Sequence, residues 1–399
     1  MIQTASRLNG IGEYYFSKKL REIETLNQQG KTIINLGIGS PDLPPHPSVV
    51  EILQQHAAKP NTHAYQSYKG SQILRDAIAN WYNKKYAVVL QANTQILPLI
   101  GSKEGIVHIC MTYFETGDVV LIPNPGYPTY TSAVKLSGAT PLYYDLSAED
   151  NYYPNFNELE KLLIENNNIK AIFCNYPHMP TGTNGSKAVF EQLIAFAKKH
   201  KILVIHDNPY SFILNDKPLS ILSVDGALEV AIELNSLSKS HNMAGWRVGM
   251  MCASEDKIND VLRFKSNMDS GMFLPLQLAA ATALSLEEDW HYELNKEYEA
   301  RRNLVYQLLD LLPCRYNKNQ VGMFMWATVN KNFDAHELGN GGALSDHILY
   351  NADVFITPGG IFGTAGFNNI RISLCSKQEQ LLQSIERVKA ALNESYELS

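Results

Sequence analysis

Apolar and polar positions along the chain recur with two periods, and the order of the two predicts the fold. Tyr15, Leu20, Ile23 and Leu26 form one stripe among lysines and glutamates over residues 14–30, ended by Gly30. That is the pattern of an amphipathic helix. TIINLGIGSPDLPPHP then reads as a short strand running into a Gly/Pro-rich crossing that ends at Pro47. Helices are predicted over 48–58 and 71–85, with the loop NTHAYQSYKG between them. From about residue 96 the two periods alternate. A helix over Ser102–Phe114 precedes the strand DVVLIP (118–123), and one over 156–165 precedes IKAIFCNYP (169–177). A third over 187–200 precedes KILVIHD (201–207), and the strands VAIELN and VGMMCA (248–253) close the series. Continuous apolar strands alternating with helices predict an α/β fold, with a mainly parallel central sheet and helices on both faces. Beyond it, a helix-rich stretch from about 275 to 312 leads to VGMFMWATV (321–329) and a helix near 344–351. DVFITPG, NNIRISLCS and a C-terminal helix over 377–394 follow, and together these predict a smaller α+β domain. The expected organisation is an N-terminal segment (1–46) joining the small domain, a large domain (47–280) and a small C-terminal domain (281–399).

Composition narrows the class without naming a function. The 399 residues are 45% hydrophobic and 19% charged, as in ordinary globular proteins, and the formal net charge of -6 argues against a nucleic-acid partner. The N-terminus MIQTASRLNGIGEYYF lacks the apolar core of a signal peptide, and no apolar run reaches the ~18 residues of a membrane helix. Cys110, Cys174, Cys252, Cys314 and Cys375 are scattered and odd in number, with no CxxC, so neither a disulfide framework nor a zinc site is indicated. A cytoplasmic protein without membrane contact is expected.

The candidate chemistry lies where strands end, which is where open α/β sheets bind ligands. In ELNSLSKSHNMAGWRVG (233–249), an apolar run gives way to Ser236, Ser238 and Lys239, and Arg247 follows eight residues after the lysine. Taken alone, Lys239 reads as an ordinary surface charge. Asp207 closes the strand at 201–207, and a buried carboxylate there needs a cationic or donor partner; Tyr210 follows three residues on. Gly101 and Ser102 open a helix whose free amides and dipole suit a phosphate, although the same pair is a common structural cap. Arg247 would add bidentate donors and Ser236 and Ser238 hydroxyls. Tyr127 sits on the proline-stiffened PNPGYPTY, and Arg371 alternates with Ile370 and Ile372 on a late strand. The set comprises an amine, a carboxylate, phosphate donors, a stacking aromatic and a carboxylate-binding arginine, which together meet the needs of pyridoxal 5'-phosphate (PLP).

From INLGIGSPD to IRISLC the chain resembles the fold-type I, class I/II PLP-dependent aminotransferases. The ordered motifs GSPD, YxxxxG, GSKEG, PNPGYP, PTG, DxxY, SxSK and the late RIS carry the resemblance. LGIGSPDLP, LPLIGSKEG and PNPGYPTY look most like the LL-diaminopimelate-aminotransferase-like branch. The resemblance implies that Lys239 forms the Schiff base with PLP and then moves the proton. It assigns Asp207 to the pyridine nitrogen, Tyr210 to the ring hydroxyl and Tyr127 to the ring face. The phosphate would lie on the Ser102 and Lys103 amides, Ser236, Ser238 and Arg247, with Tyr65 reaching it from the partner subunit of a homodimer. Arg371 and the Gly39 backbone would hold the substrate carboxylate, and Lys103 stands where some relatives contact a distal acidic group.

One motif departs from the family. NYPHMPTG has Met179 where the family usually has asparagine, and a thioether cannot donate the hydrogen bond an amide gives. Either His178 or Asn175 is expected to compensate, or the chemistry differs. Amino transfer between an amino acid and a 2-oxo acid by a ping-pong mechanism is the leading expectation. A PLP lyase of the C–S β-lyase type and a non-catalytic PLP-binding module are the alternatives.

Overall fold

Seven strands form the central sheet of the computed structural model, which describes residues 2–330 and 340–397, with side chains through residue 392. Numbered along the chain, β1 is Ile34–Asn35, β2 Ile96–Leu99, β3 Val119–Asn124, β4 Thr140–Asp145, β5 Ile169–Asn175, β6 Leu203–Asp207, β7 Ala231–Ser236 and β8 Gly249–Ala253. β9 (Cys314–Tyr316), β10 (Phe324–Val329), β11 (Val354–Phe355), β12 (Thr357–Pro358) and β13 (Asn369–Ser373) follow. The large sheet has the order β2-β8-β7-β6-β5-β3-β4. Its members from β4 to β7 pair in parallel, and β8 runs antiparallel to both neighbours. The sheet is therefore mixed but mainly parallel, and the carboxyl ends of β2, β3, β5, β6 and β7 emerge along one edge.

Strand alternation explains why both faces are covered. Ile172 and Cys174 of β5, with Val204 of β6, join one apolar core, whereas Ala171 and Phe173, with Ile205, join another on the opposite face. Each such side chain, fully buried, contributes roughly 1.5–3 kcal/mol. Helices were expected on both sides, but several elements were not read from the sequence, among them the following three. The helix Pro128–Leu136 had looked like a proline-stiffened loop; Pro128 stands in its first turn, where the missing N–H costs nothing. β4 carries exposed and half-buried residues at the sheet edge, so its apolar signal is weak. The helix Glu255–Lys265 is mostly polar, burying Ile258 and Val261 among charges.

A four-stranded antiparallel sheet, β12-β13-β10-β9, lies among the later elements, and β1 pairs in parallel with β11. The Gly/Pro-rich crossing after β1 is pinned by Arg301, on the helix Asp289–Leu311. This buried guanidinium contacts Asp42 at 2.6 and 3.0 Å, Glu297 at 2.7 Å and the Leu374 carbonyl at 3.1 Å. Asp42 lies three residues after Gly39, so the clamp anchors the crossing just beyond it.

Candidate active site

The strand ends enclose a cavity of about 450 Å³ lined by Gly39, Ser102, Lys103, Tyr127, Asn175, Met179, Asp207, Tyr210, Ser236, Ser238, Lys239, Arg247 and Arg371, among others. Thirteen residues proposed from the sequence thus converge. The two that do not are Tyr65, 93% exposed and away from the cavity, and His178.

Asp207 ends β6 with its side chain on the cavity side, while His206 points through the opposite face to Glu233 of β7, Nδ1 to Oε2 2.8 Å. The Asp207 Oδ2 accepts from the Tyr130 hydroxyl at 2.9 Å, but its Oδ1 is buried and accepts nothing among the described residues. Burial pushes this carboxyl up from the ordinary 3.8 to about 6, against the hydrogen bond from Tyr130, the charge of His206 and the nearby Ser102 hydroxyl, which makes no hydrogen bond to Oδ1. An orphaned carboxylate oxygen at a cavity wall is costly unless a donor or cation arrives.

Lys239 lies in the short helical turn Leu237–Ser240 immediately after β7. Its Nζ donates to the Gly39 carbonyl at 2.5 Å. Burial lowers its pKa below the ordinary lysine value, and Arg371 and Arg247 push the same way. A nucleophilic amine benefits from that shift.

Two glycines shape the anion pocket beside it. Gly101 caps the helix Ser102–Tyr113 at φ +104°, where an added Cβ would strike the Arg247 guanidinium. A Cβ on Gly249 would come within 2.8 Å of the Ser102 amide nitrogen. Arg247 donates to the Ala244 carbonyl at 2.8 Å and approaches the Ser238 hydroxyl at 3.5 Å. The Ser236 hydroxyl donates to that of Ser238 at 2.9 Å. Glu104 steadies the loop from the helix side, its Oε2 accepting from the Ile100 amide at 2.5 Å while Oε1 meets His108 at 2.6 Å and Lys265 at 2.9 Å. Although burial opposes it, those two partners hold the Glu104 carboxyl well below the usual carboxylate range.

On the other side Arg371 is 3% exposed, and among the described residues its acceptors are a backbone carbonyl and a thioether, not a carboxylate. Its Nη2 donates to the Gly37 carbonyl at 2.7 Å, and the guanidinium carbon lies 3.9 Å from the centroid of the Phe324 ring. Desolvation lowers its pKa to about 10. Met179 takes up one donor weakly, with its sulfur 3.4 Å from Nη1. Asn175 is committed elsewhere: Nδ2 donates to the Asp207 carbonyl at 2.6 Å and Oδ1 accepts from the Met179 amide at 2.8 Å. His178 turns away from the cavity, its Nδ1 2.8 Å from the Thr181 hydroxyl, and burial depresses its pKa to about 3. It is a neutral histidine holding the turn.

The lining carries four cationic side chains, Lys103, Lys239, Arg247 and Arg371, against one carboxylate, Asp207. Such a field suits a ligand with a phosphate and a carboxylate at opposite ends. Sequence reasoning missed the aromatic wall. Tyr14 and Phe16 enter from the first helix, Tyr130 lies beneath Tyr127 with centroids 5.5 Å apart, and Phe324 and Phe362 flank Arg371. Aromatic spacing alone does not separate a ligand wall from core, so only the packed fold reveals it.

Relatives share this frame. A protein of Dehalococcoides mccartyi strain 195 named LL-diaminopimelate aminotransferase is 36% identical over 97% of this chain and 98% of its own length. A Desulforudis audaxviator protein of the same name is 37% identical, covering 97% of each. The solved structure of substrate-bound BacF from Bacillus subtilis superposes with a TM-score of 0.92 at 33% identity, covering 98% of both chains. Residues 31–388 match the family described as aminotransferase class I and II. With the matched motifs facing one cavity, the chain belongs to the class I and II aminotransferases, PLP-dependent enzymes that move an amino group between an amino acid and a 2-oxo acid.

Proposed function

We propose that Lys239 is the lysine that holds the PLP aldehyde and then carries the proton of amino transfer, in a ping-pong exchange between an amino acid and a 2-oxo acid. The observation that carries this reading is the orphaned Oδ1 of Asp207, on the wall of the same cavity as the Lys239 amine. A protonated pyridine nitrogen supplies the donor that oxygen lacks, so the residues present fit the cofactor. Bound PLP supplies an electron sink, which this carboxylate sustains by keeping the ring nitrogen charged.

The remaining side chains position and select. The Ser102 and Lys103 amides, Ser236, Ser238 and Arg247 take the phosphate, a set matched to a dianion. Tyr127 covers the ring and Tyr210 donates to its hydroxyl. Arg371, desolvated and without a carboxylate, takes the substrate α-carboxylate, with the Gly39 backbone beside it. That fixes the Cα hydrogen near the Lys239 amine, and such positioned proton transfer is worth about 10²–10⁴-fold. Met179 leaves Arg371 one donor more available than an amide acceptor would, and His178 supports the turn.

We further propose a cytoplasmic homodimer in which Tyr65 of the partner subunit completes the phosphate site. Tyr65, Tyr68, Met268 and Phe273 are exposed, and the Gln66–Gly271 bridge ties their two segments together. An apolar patch of this kind favours burial against a second surface. Sedimentation should give a dimer; a fully active monomer would contradict the shared site. The five described cysteines are unpaired, consistent with a reducing compartment, and no helix among the described residues is long and apolar enough to cross a membrane.

The relatives' name makes LL-diaminopimelate the first donor to test. Product analysis separates transfer from lysis. The expected result is a 2-oxo acid formed only in step with amination of the acceptor; pyruvate and ammonia released without any acceptor would favour the lyase.

A further inference from the structure

Resting on the transaminase reading above, we propose that the preferred amino donor carries a large apolar side chain, aromatic above all, rather than a second charged end. A donor whose carboxylate rests on Arg371 has its side chain placed among what surrounds that guanidinium. That surrounding is aromatic: ring centroids lie 3.9 Å (Phe324), 4.7 Å (Phe362) and 5.5 Å (Phe16) from the guanidinium carbon. Tyr14, Leu20 and Ile38 continue the same wall. An aromatic side chain meeting such rings gains from both area and ring geometry.

Charge points the same way. Asp207 is the one carboxylate among the described lining residues; it is bonded to Tyr130 and opposite the ring nitrogen in the reading above. The segment that would enter from the partner subunit, residues 61–70 (NTHAYQSYKG), contains no aspartate or glutamate. Among the described lining residues and that segment, the distal ammonium of lysine or of LL-diaminopimelate therefore meets no free anion, and an unpaired buried charge is strongly disfavoured. Lys103 was read from the sequence as a contact for a distal acid. Its ammonium instead lies over the Tyr14 ring, 4.9 Å from the centroid, and burial and the nearby Arg247 both lower its pKa. It serves the phosphate end of the cavity, covered by an aromatic face.

The test uses the PLP-loaded enzyme and follows the spectral change of the cofactor in single-turnover reactions with L-phenylalanine, L-tyrosine, L-leucine, L-alanine, L-lysine, LL-diaminopimelate, L-glutamate and L-aspartate. Phenylalanine or tyrosine should react with a specificity constant at least about tenfold above every charged donor and above alanine. A lead for diaminopimelate, lysine, glutamate, aspartate or alanine overturns this inference while leaving amino transfer intact. No reaction with any donor overturns the transaminase reading and the inference with it. The variant Phe16→Ala gives an independent arm: the ratio of phenylalanine to alanine reactivity should fall about tenfold, mainly through the apparent Kd for phenylalanine. An unchanged ratio in that folded variant also overturns the inference.

Discussion

Replacing Lys239 by alanine is expected to end multiple turnover, with kcat falling by at least about 10²–10⁴-fold, the range for removing a positioned proton carrier alone. The fall should exceed that range because one side chain has two tasks here. In the proposed role it would anchor the cofactor covalently and, once released, serve as the amine that moves the substrate's Cα proton. The lost packing is a small part of the effect: Lys239 sits in a four-residue helical turn in which Leu237, Ser238 and Ser240 are buried in their own right. The variant should therefore fold and still bind PLP through Arg247, Ser236 and the helix terminus. Steady-state assays and cofactor titration check both halves, and normal turnover would sink the assignment.

Substituting Asp207 by asparagine should have the next largest effect. Asparagine keeps the shape and can keep the bond from Tyr130, but it removes the charge that, in the proposed role, would pair with the ring nitrogen. Breaking a buried pair costs about 3–5 kcal/mol, or roughly 10²- to 10⁴-fold in rate if that loss falls on the transition state. The same carboxylate predicts a pH dependence. Its folded-state pKa of about 6 lies above the ordinary 3.8, so its contribution to stability is complete below about pH 4 and is lost as pH rises through about 6. For the cofactor-free protein that loss is roughly 3 kcal/mol. A bound cationic ring nitrogen pairs with the carboxylate and removes the loss. The gap in melting temperature between PLP-loaded and cofactor-free protein should therefore widen from pH 5 to pH 7 in the wild type and not in Asp207→Asn. Equal widening in both would show that another group governs it.

Much of the architecture was legible because its signals are strong. Continuous apolar runs such as KILVIHD have few structural alternatives, and a polar residue at the end of one marks a ligand edge. Lys239, Asp207 and Arg247 could be singled out from that position, and their motif order made the resemblance specific. What stayed hidden depends on contacts distant in sequence. Phe16, Phe324 and Phe362 come together around Arg371 from three separate parts of the chain, and each alone reads as core. The support of the phosphate loop by Glu104 was likewise invisible, since it needs Lys265, 161 positions away. His178 is a different case: its place in NYPHMPTG suggested a ligand contact, but its side chain lies outside the cavity lining, with Nδ1 held by the Thr181 hydroxyl.

The central claim is that this cavity holds PLP covalently on Lys239. Reduction of the PLP-loaded enzyme with borohydride, followed by proteolysis and peptide mass spectrometry, tests it without relying on activity. One cofactor mass per chain is expected, fixed on the peptide carrying Lys239. A label on Lys103, or on any other lysine with Lys239 unmodified, would contradict it.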